Sequence, residues 1–161
     1  YKYRRMSNLT PNKNYLSPTG FKITINSAKF ANLEYFAIQL NHPAVSMSGA
    51  SLPFRGNTNF IAGDRIEYGT LDMRFQVSEY MENYIELFSW MKRNQSEAGN
   101  FEKADVMLTI LSSSNTASKQ IRYVDAFPVS IGSIDFHTQN TDVEYVTVDA
   151  SLQYSYFEFV S

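Results

Sequence analysis

The feature that constrains this chain most is a strict alternation of apolar and polar residues near its C-terminal end. From residue 146 to residue 156 every second side chain is apolar, and polar side chains occupy the positions between them. A period of two is typical of a β-strand that buries one face. The alternation predicts one terminal strand that is longer than the usual length of about five or six residues. Its apolar face consists of Val146, Val148, Ala150, Leu152, Tyr154 and Tyr156.

Three earlier segments repeat this alternation and predict further strands. Their apolar faces are Phe21, Ile23 and Ile25; Phe36, Ile38 and Leu40; and Leu71, Met73, Phe75 and Val77. Shorter apolar runs at 106–110, 120–124 and 127–131 predict strands as well. The 12 Phe and 11 Tyr residues suit pleated, half-buried surfaces. Because no repeat or linker divides the chain, we predict a single, mainly β domain.

Residues 79–93 have the period of a helix instead. Ser78 can cap the start. Glu79 and Glu82 lie in the first turns and Lys92 and Arg93 in the last, which is the order that the helix dipole favours. The apolar residues recur three or four positions apart, as on a helix that packs one stripe against a core. That stripe consists of Met81, Tyr84, Ile85, Phe88 and Met91. We predict one helix over 79–93.

Residues 43–65 are poor in charge and rich in proline and glycine. Two short extended pieces, 45–48 and 58–61, flank an Arg55-Gly56-Asn57 turn. We interpret the segment as a long protruding hairpin, because a structureless stretch of this length in a compact domain is uncommon and usually functional. An isolated hairpin is only marginally stable in water, so its apolar strands require a partner surface.

Composition and motifs argue against catalysis. The chain has no cysteine, which removes disulfides, zinc–thiolate sites and thiol nucleophiles together. His42 and His137 lie beside turn residues with no second ligand at metal spacing, so both are expected in loops or on the surface. No Gly-x-Ser-x-Gly elbow or glycine-rich phosphate loop is present. We predict that the protein is not an enzyme and binds no cofactor or metal.

The acidic residues offer one further catalytic interpretation. Asp64 with Glu67, and Asp142 with Glu144, could be paired catalytic carboxylates. Acidic side chains at strand ends and turns are usually solvated or paired with a base, and we favour that interpretation. The adjacent residues Asp64 and Arg65 are expected to form a structural ion pair at the base of the hairpin or a subunit contact.

Charge and hydropathy also limit the partners. The formal net charge of -2 provides no global basic field for tight binding to nucleic acid. No apolar run approaches the roughly 18 residues that cross a bilayer, so no membrane partner is expected. Lys2, Arg4 and Arg5, in an N-terminal arm over 1–18, could contact nucleic acid or, equally well, a neighbouring subunit. The aromatic run 154–159 could stack on bases, although a place in the core and at a sheet interface is favoured.

Three stretches in a fixed order carry a resemblance to a known family. The first is Leu16-Ser-Pro-Thr-Gly-Phe21. The second joins Ala62-Gly-Asp-Arg65 to Tyr68-Gly-Thr-Leu-Asp-Met-Arg-Phe75 and to the predicted helix Met81-Glu-Asn-Tyr-Ile-Glu-Leu-Phe-Ser-Trp-Met91. The third is Val129-Ser-Ile-Gly-Ser-Ile-Asp-Phe136, which precedes the final strand. In this order, from about residue 16 to residue 159, the chain resembles the tail tube proteins of T4-like bacteriophages.

The resemblance implies a fold, an assembly and a set of partners. The fold is a β-sandwich or barrel-like core with one flanking helix and a protruding hairpin, in one domain over 1–161, and type VI secretion tube proteins share it. The assembly is a homo-hexameric ring that stacks into a contractile tail tube with sheath and baseplate partners. Double-stranded DNA would pass through it without sequence-specific binding. The virion tail, assembled in the host cytoplasm, is the implied location.

The hairpin is where this resemblance places contact with the adjacent ring. The residues that we expect between subunits are Val45, Met47, Arg55, Phe60, Ile61, Asp64 and Arg65. Alternatives within the same class are a tube-initiating baseplate protein, a tail terminator and a type VI secretion-like tube protein. An alternative from another class is a monomeric carbohydrate-binding sandwich that uses exposed aromatic residues on one sheet.

Overall fold

The computed structural model describes residues 15–16, 18–26, 37–96, 101–139 and 145–160, and this part of the chain is mainly β-structure, as predicted. Its elements are β1 (Phe21–Ile25), β2 (Ala37–Asn41), β3 (Val45–Met47), β4 (Ala50–Phe54), β5 (Asn57–Ile61), β6 (Ile66–Tyr68), β7 (Leu71–Gln76), α1 (Glu82–Ser96), β8 (Ala104–Leu111), β9 (Ala117–Ile131), β10 (Thr147–Gln153) and β11 (Tyr156–Phe159). The sequence predictions that lie outside the described residues concern Lys2, Arg4, Arg5, Phe36, Asp142 and Glu144.

The main strands form one antiparallel sheet that doubles over a single core. Their order is β1-β8-β9-β10-β7-β2, and β11 pairs with β9 beside this path. The first part of β9 pairs with β8 and β11, whereas its last part pairs with β10. Buried residues of both halves, such as Tyr123 from the first and Val148 from the second, belong to one hydrophobic cluster. This sandwich-like arrangement agrees with the predicted fold class.

The predicted terminal strand is divided into two. Strand β10 ends at Gln153 and β11 begins at Tyr156, because the two strands pair with different halves of β9. The break interrupts the alternation, so Phe157 packs against the core and Tyr156 is exposed. The prediction of one continuous strand over 146–156, with Tyr156 on its apolar face, was wrong.

The longest strand is β9, where two separate strands were predicted over 120–124 and 127–131. It continues through both with a bulge at Asp125, whose φ of 56° is a left-handed conformation that turns the backbone locally. The amide of Asp125 donates a hydrogen bond of 3.1 Å to the carboxylate of Asp105. A single bent strand therefore connects the two halves of the sheet.

The helix begins and ends three residues later than the predicted 79–93. Met81 has a φ of 58°, which excludes it from a helix. The hydroxyl of Ser78 accepts a hydrogen bond of 3.0 Å from the amide of Glu82, the first helical residue. The left-handed residue before Glu82 therefore sets the start of α1.

The buried face of α1 is only partly the one predicted, since Tyr84 of the predicted stripe packs against the core but other members of the stripe do not. Leu87 and Trp90 are 0% exposed, whereas Ile85 and Phe88 of the predicted stripe are 54% and 47% exposed. Asn83 is also buried, and its side chain is hydrogen-bonded throughout. Its side-chain nitrogen donates to the carbonyl of Gln76, and its side-chain oxygen accepts from the backbone amides of Ser78 and Tyr84. A satisfied polar residue can occupy a core position, and apolar spacing alone does not reveal it.

Strand β2 departs from its predicted face because it contains a bulge. Its register against β7 shifts between Ala37 and Gln39. A bulge adds one residue to a strand and interrupts the alternation of its side chains. Ala37 and Leu40 therefore pack against the core, while Ile38 is exposed. Ile38 was predicted to share the apolar face of Leu40, but only Leu40 packs against the core.

A candidate assembly surface

Residues 45–68 form an exposed hairpin made of two short antiparallel ladders in series. At its base β3 pairs with β6, and beyond the base β4 pairs with β5. Every residue of β3, β4 and β5 is exposed. The second ladder closes in a turn where Gly56 has a φ of 75°, a conformation that glycine adopts readily. We call residues 45–68 the hairpin and the pair β4–β5 its distal ladder.

The junction between the two ladders requires Gly63. A Cβ atom at this position would lie 1.8 Å from the carbonyl oxygen of Ser48, so the opposite backbone can approach only a glycine. Asp64 and Arg65, which follow it, are both exposed. The ion pairs of the described residues do not join these two side chains. The expected structural ion pair is therefore not formed, and a subunit contact remains the prediction for both.

The distal ladder carries apolar side chains on both faces. Cross-strand pairing places Leu52 and Phe54 on the same face as Ile61. Phe60 pairs with Ser51 on the opposite face and is 77% exposed. Arg55 is the one charged residue between positions 43 and 63. The ladder is thus an apolar projection whose single charged side chain, Arg55, lies in the turn at its tip.

The predicted contact residues all lie along the hairpin or beside its turn. The apolar members are exposed, namely Val45, Met47, Phe60 and Ile61. Sequence reasoning missed Leu52, Phe54 and Ile66, which are exposed as well. The spacing of Leu52 and Phe54 could have revealed that pair, because residues two positions apart share a face of a strand.

Both legs of the hairpin meet the same aromatic ring of the core domain. His42, which leads into β3, lies edge-on to Phe157 with ring centroids 4.8 Å apart. Tyr68, at the end of β6, contacts Phe157 in the same manner at 5.2 Å. Nδ1 of His42 also lies within hydrogen-bond distance, 2.8 Å, of the hydroxyl oxygen of buried Tyr123. These contacts hold the base of the hairpin in a defined position on the core.

Desolvation governs the titration of this aromatic cluster. It lowers the pKa of His42 and raises the pKa of Tyr123. Burial and the neighbouring Tyr68 raise the pKa of Tyr154 to about 12. The cluster is therefore neutral near pH 7. His42 is exposed, as expected of a loop histidine, but its Tyr123 partner, which is 81 positions away, was not foreseen.

A second surface, on the outer face of β2, β7 and β10, is polar. Nε of Arg74 donates to Asp149 at 2.7 Å, and the hydroxyl of Ser151 donates to Asp72 at 2.7 Å. The hydrogen bond from Arg74 lowers the pKa of Asp149. These four residues help to line a depression of about 320 Å³. Two carboxylates and one guanidinium give its lining a net charge of -1.

A third surface is an apolar groove of about 610 Å³ that β1 and β2, the end strands of the sheet, both help to line. Its walls include Phe21 from β1, Ile38 and Leu40 from β2, and Leu108 and Ile110 from β8. Of the residues that line the groove, only His42 can ionise between pH 5 and 8. The groove is therefore uncharged at neutral pH.

The remaining candidates for chemistry do not converge. Within the described ranges, no group of three or more His, Asp or Glu side chains is placed to hold a metal ion. His137, Asp64 and Glu67 are exposed. No helix in the described part of the chain is both long and apolar enough to cross a membrane.

Comparison with solved structures reveals which assemblies contain this fold. A chain of the PVC sheath–tube complex, an extracellular contractile injection system, matches with a TM-score of 0.70 and 14% identity, covering 91% of this chain and 92% of that chain. A chain of the PVC sheath/tube terminator matches with a TM-score of 0.72 and 16% identity, covering 93% and 100%. Hcp1 from Flavobacterium johnsoniae matches with a TM-score of 0.57 and 14% identity, covering 91% and 95%. No protein-family model and no curated protein sequence matches the chain.

The chain therefore shares its fold with chains of the sheath–tube and terminator assemblies of contractile injection systems and with Hcp1. It is the fold that the resemblance to phage tail tube proteins implied.

Proposed function

We propose that this protein is a structural subunit of a contractile tail tube, in which hexameric rings stack around a channel for the genome. The observation that carries the proposal is the exposed apolar hairpin. Leu52, Phe54 and Phe60 project from a two-stranded ladder that nothing in the described chain covers. Such a ladder is marginally stable in water by itself, and burial against an adjacent ring would stabilise it.

The polar face of β2, β7 and β10 is suited to the wall of the channel. Its cation, Arg74, is already paired with Asp149, and the lining of its depression has a net charge of -1. Affinity for DNA comes mainly from cations that neutralise phosphates. A wall of this kind would let double-stranded DNA slide past without sequence-specific contact.

The end strands β1 and β2 are suited to ring closure. Each has one neighbour in the main sheet, as far as the described residues extend. An open strand edge presents N–H and C=O groups that can pair with another chain. A closed ring of six copies would satisfy both edges in every subunit.

In this role the partners are tail sheath and baseplate proteins, and the location is the virion tail after assembly in the host cytoplasm. The role requires neither catalysis nor a cofactor. The hairpin residues Val45, Met47, Arg55, Phe60, Ile61, Asp64 and Arg65 would contact the neighbouring ring.

A tube terminator of the same fold is a second candidate. Chains of the PVC sheath/tube terminator and of the anti-feeding prophage cap both match with a TM-score of 0.72. A chain of the anti-feeding prophage baseplate matches with the same value, and the chain from the sheath–tube complex with 0.70. A terminator would form a ring but would not continue the tube.

Electron microscopy and sedimentation of the purified full chain test these functions. Long tubes are expected for a tube subunit, and isolated rings for a terminator or an initiator. Only monomers at high concentration would contradict both and favour the carbohydrate-binding sandwich.

Deletion of residues 46–61 tests the hairpin directly. The deletion is expected to leave a folded domain that no longer stacks. A matched control replaces the exposed turn 113–115 with Gly-Asn-Gly and should stack as before. Normal polymerisation of the deletion variant would contradict the assignment of the hairpin as the contact between rings.

A further inference from the structure

We propose that the apolar groove lined by β1 and β2 receives the distal ladder of the hairpin from a second copy of this chain. The inference rests on the proposed function, in which copies stack, and it adds the surface on which the hairpin is bound. Hairpin and groove are different surfaces of one chain, so their contact is head-to-tail and continues from copy to copy.

The two surfaces match in shape. The distal ladder projects and has apolar residues on both faces, with Leu52 and Phe54 on one and Phe60 on the other. A flat surface would bury one of these faces, whereas the walls of a groove can bury both. The groove has a volume of about 610 Å³, which can take in some of these side chains.

The two surfaces also match in polarity. Neither the apolar part of the ladder nor the groove carries a charge at neutral pH, so their contact desolvates no ion. Apolar side chains of the ladder can therefore enter the groove without burying a charge.

The outer face of α1 is another exposed apolar surface that could receive the hairpin. It presents Ile85 and Phe88, but a helix surface is convex, as the hairpin is. The ammonium group of Lys92 lies 5.9 Å from the centre of the Phe88 ring. A partner that covered this face would bury part of that charge, which is unfavourable without an acidic partner. The groove is the better receptor on both grounds.

Cysteine cross-linking tests the contact without background, because the chain has no cysteine of its own. Copies with Leu52→Cys, Phe54→Cys or Phe60→Cys in the hairpin are each co-assembled with copies that carry Ile38→Cys in the groove. A disulfide forms only where the two Cα atoms approach to about 4.4–6.8 Å. The control receptor is Thr24→Cys, an exposed position on β1 outside the groove lining. After mild oxidation, mixed disulfide dimers are expected with Ile38→Cys and not with Thr24→Cys.

A charge exchange supplies a second measurement. Ile38→Glu and Leu52→Lys are each expected to abolish tubes while the thermal unfolding midpoint of the subunit stays close to wild type, because both positions are exposed. The double variant pairs the two charges across the contact and should regain tubes. Thr24→Glu is the control and should stack normally.

The possible outcomes distinguish a failure of the groove proposal from a failure of the proposed tube function. Tubes that give no disulfide from any of the three hairpin probes to Ile38→Cys would overturn the groove and leave the proposed function intact. Wild-type protein that forms neither rings nor tubes would overturn the proposed function and the groove with it.

Discussion

Nδ1 of His42 lies 2.8 Å from the hydroxyl oxygen of Tyr123 and thereby joins the entry of the hairpin to the centre of the core. Tyr154 stacks edge-on against Tyr123, with ring centroids 5.3 Å apart. Its buried hydroxyl has no hydrogen-bond partner among the described residues. The two neighbouring tyrosines therefore differ in whether the hydroxyl contributes to stability.

Removal of these hydroxyls should have opposite effects on stability. Tyr123→Phe is expected to lower the free energy of unfolding by about 0.5–1.5 kcal/mol, since it deletes a hydrogen bond. Tyr154→Phe is expected to leave stability unchanged or to raise it, because a buried hydroxyl without a partner is unfavourable. Urea denaturation of both variants measures the difference. An equal loss in the two variants would contradict the hydrogen bond to His42.

His42 should make the stability of the protein depend on pH below neutrality. Its pKa is lowered from 6.5 in the folded protein, so the unfolded chain binds a proton more readily. The stability that neutral His42 contributes is complete above pH 6.5 and is lost as the pH falls through that value towards the lowered pKa. Denaturation curves between pH 7.5 and pH 5 should therefore show less decline for His42→Gln than for wild type. His137→Gln is the control and should decline as wild type does; identical curves for all three proteins would refute this role of His42.

Leu87 and Phe88 are adjacent, and they test which face of α1 is buried. Leu87→Ala is expected to lower the free energy of unfolding by about 2–5 kcal/mol, because it leaves a cavity in the core. Phe88→Ala removes a half-exposed ring and should lower it by less than about 1 kcal/mol. Chemical denaturation distinguishes the two. A larger loss of stability from Phe88→Ala than from Leu87→Ala would instead support the buried stripe predicted from the sequence.

Gly63 and Gly49 test the junction of the hairpin. Gly63→Ala places a Cβ atom against the carbonyl oxygen of Ser48, so the two ladders must separate, whereas a Cβ atom at Gly49 meets its nearest neighbour at an ordinary 3.6 Å. Gly63→Ala should expose the hairpin to limited proteolysis and reduce tube formation, with little change in the unfolding midpoint of the core. Gly49→Ala should do neither. Normal tubes from Gly63→Ala would show that hairpin geometry is not critical for assembly.

The sequence predicted many of the residues that form the core, but not how the strands that carry them pair with one another. The alternation in Ile23 and Ile25, and in Leu71 and Met73, correctly identified buried faces. It failed at Ile38, where a bulge against β7 shifts the register. The hairpin was located by its turn residues and lack of charge, and the side chains at its tip were partly missed. The failure at Ile38 arises because a neighbouring strand, rather than local preference, decides the register, whereas the spacing of Leu52 and Phe54 was present in the sequence.

The sequence by itself predicted that this protein is mainly β with a helix after the strand at 71–77, and it shows that residues 43–63 carry one charged side chain and that the chain has no cysteine. These properties follow from residue type and local period. Only the tertiary structure decided that the alternating segment 146–156 breaks after Gln153, because its two parts pair with different halves of β9. It also decided which face of α1 is buried, through the hydrogen bond from Asn83 to Gln76. The physical reason is that a side-chain period is a property of one segment, whereas register, burial of a polar group and the His42–Tyr123 contact depend on residues that are distant in the chain.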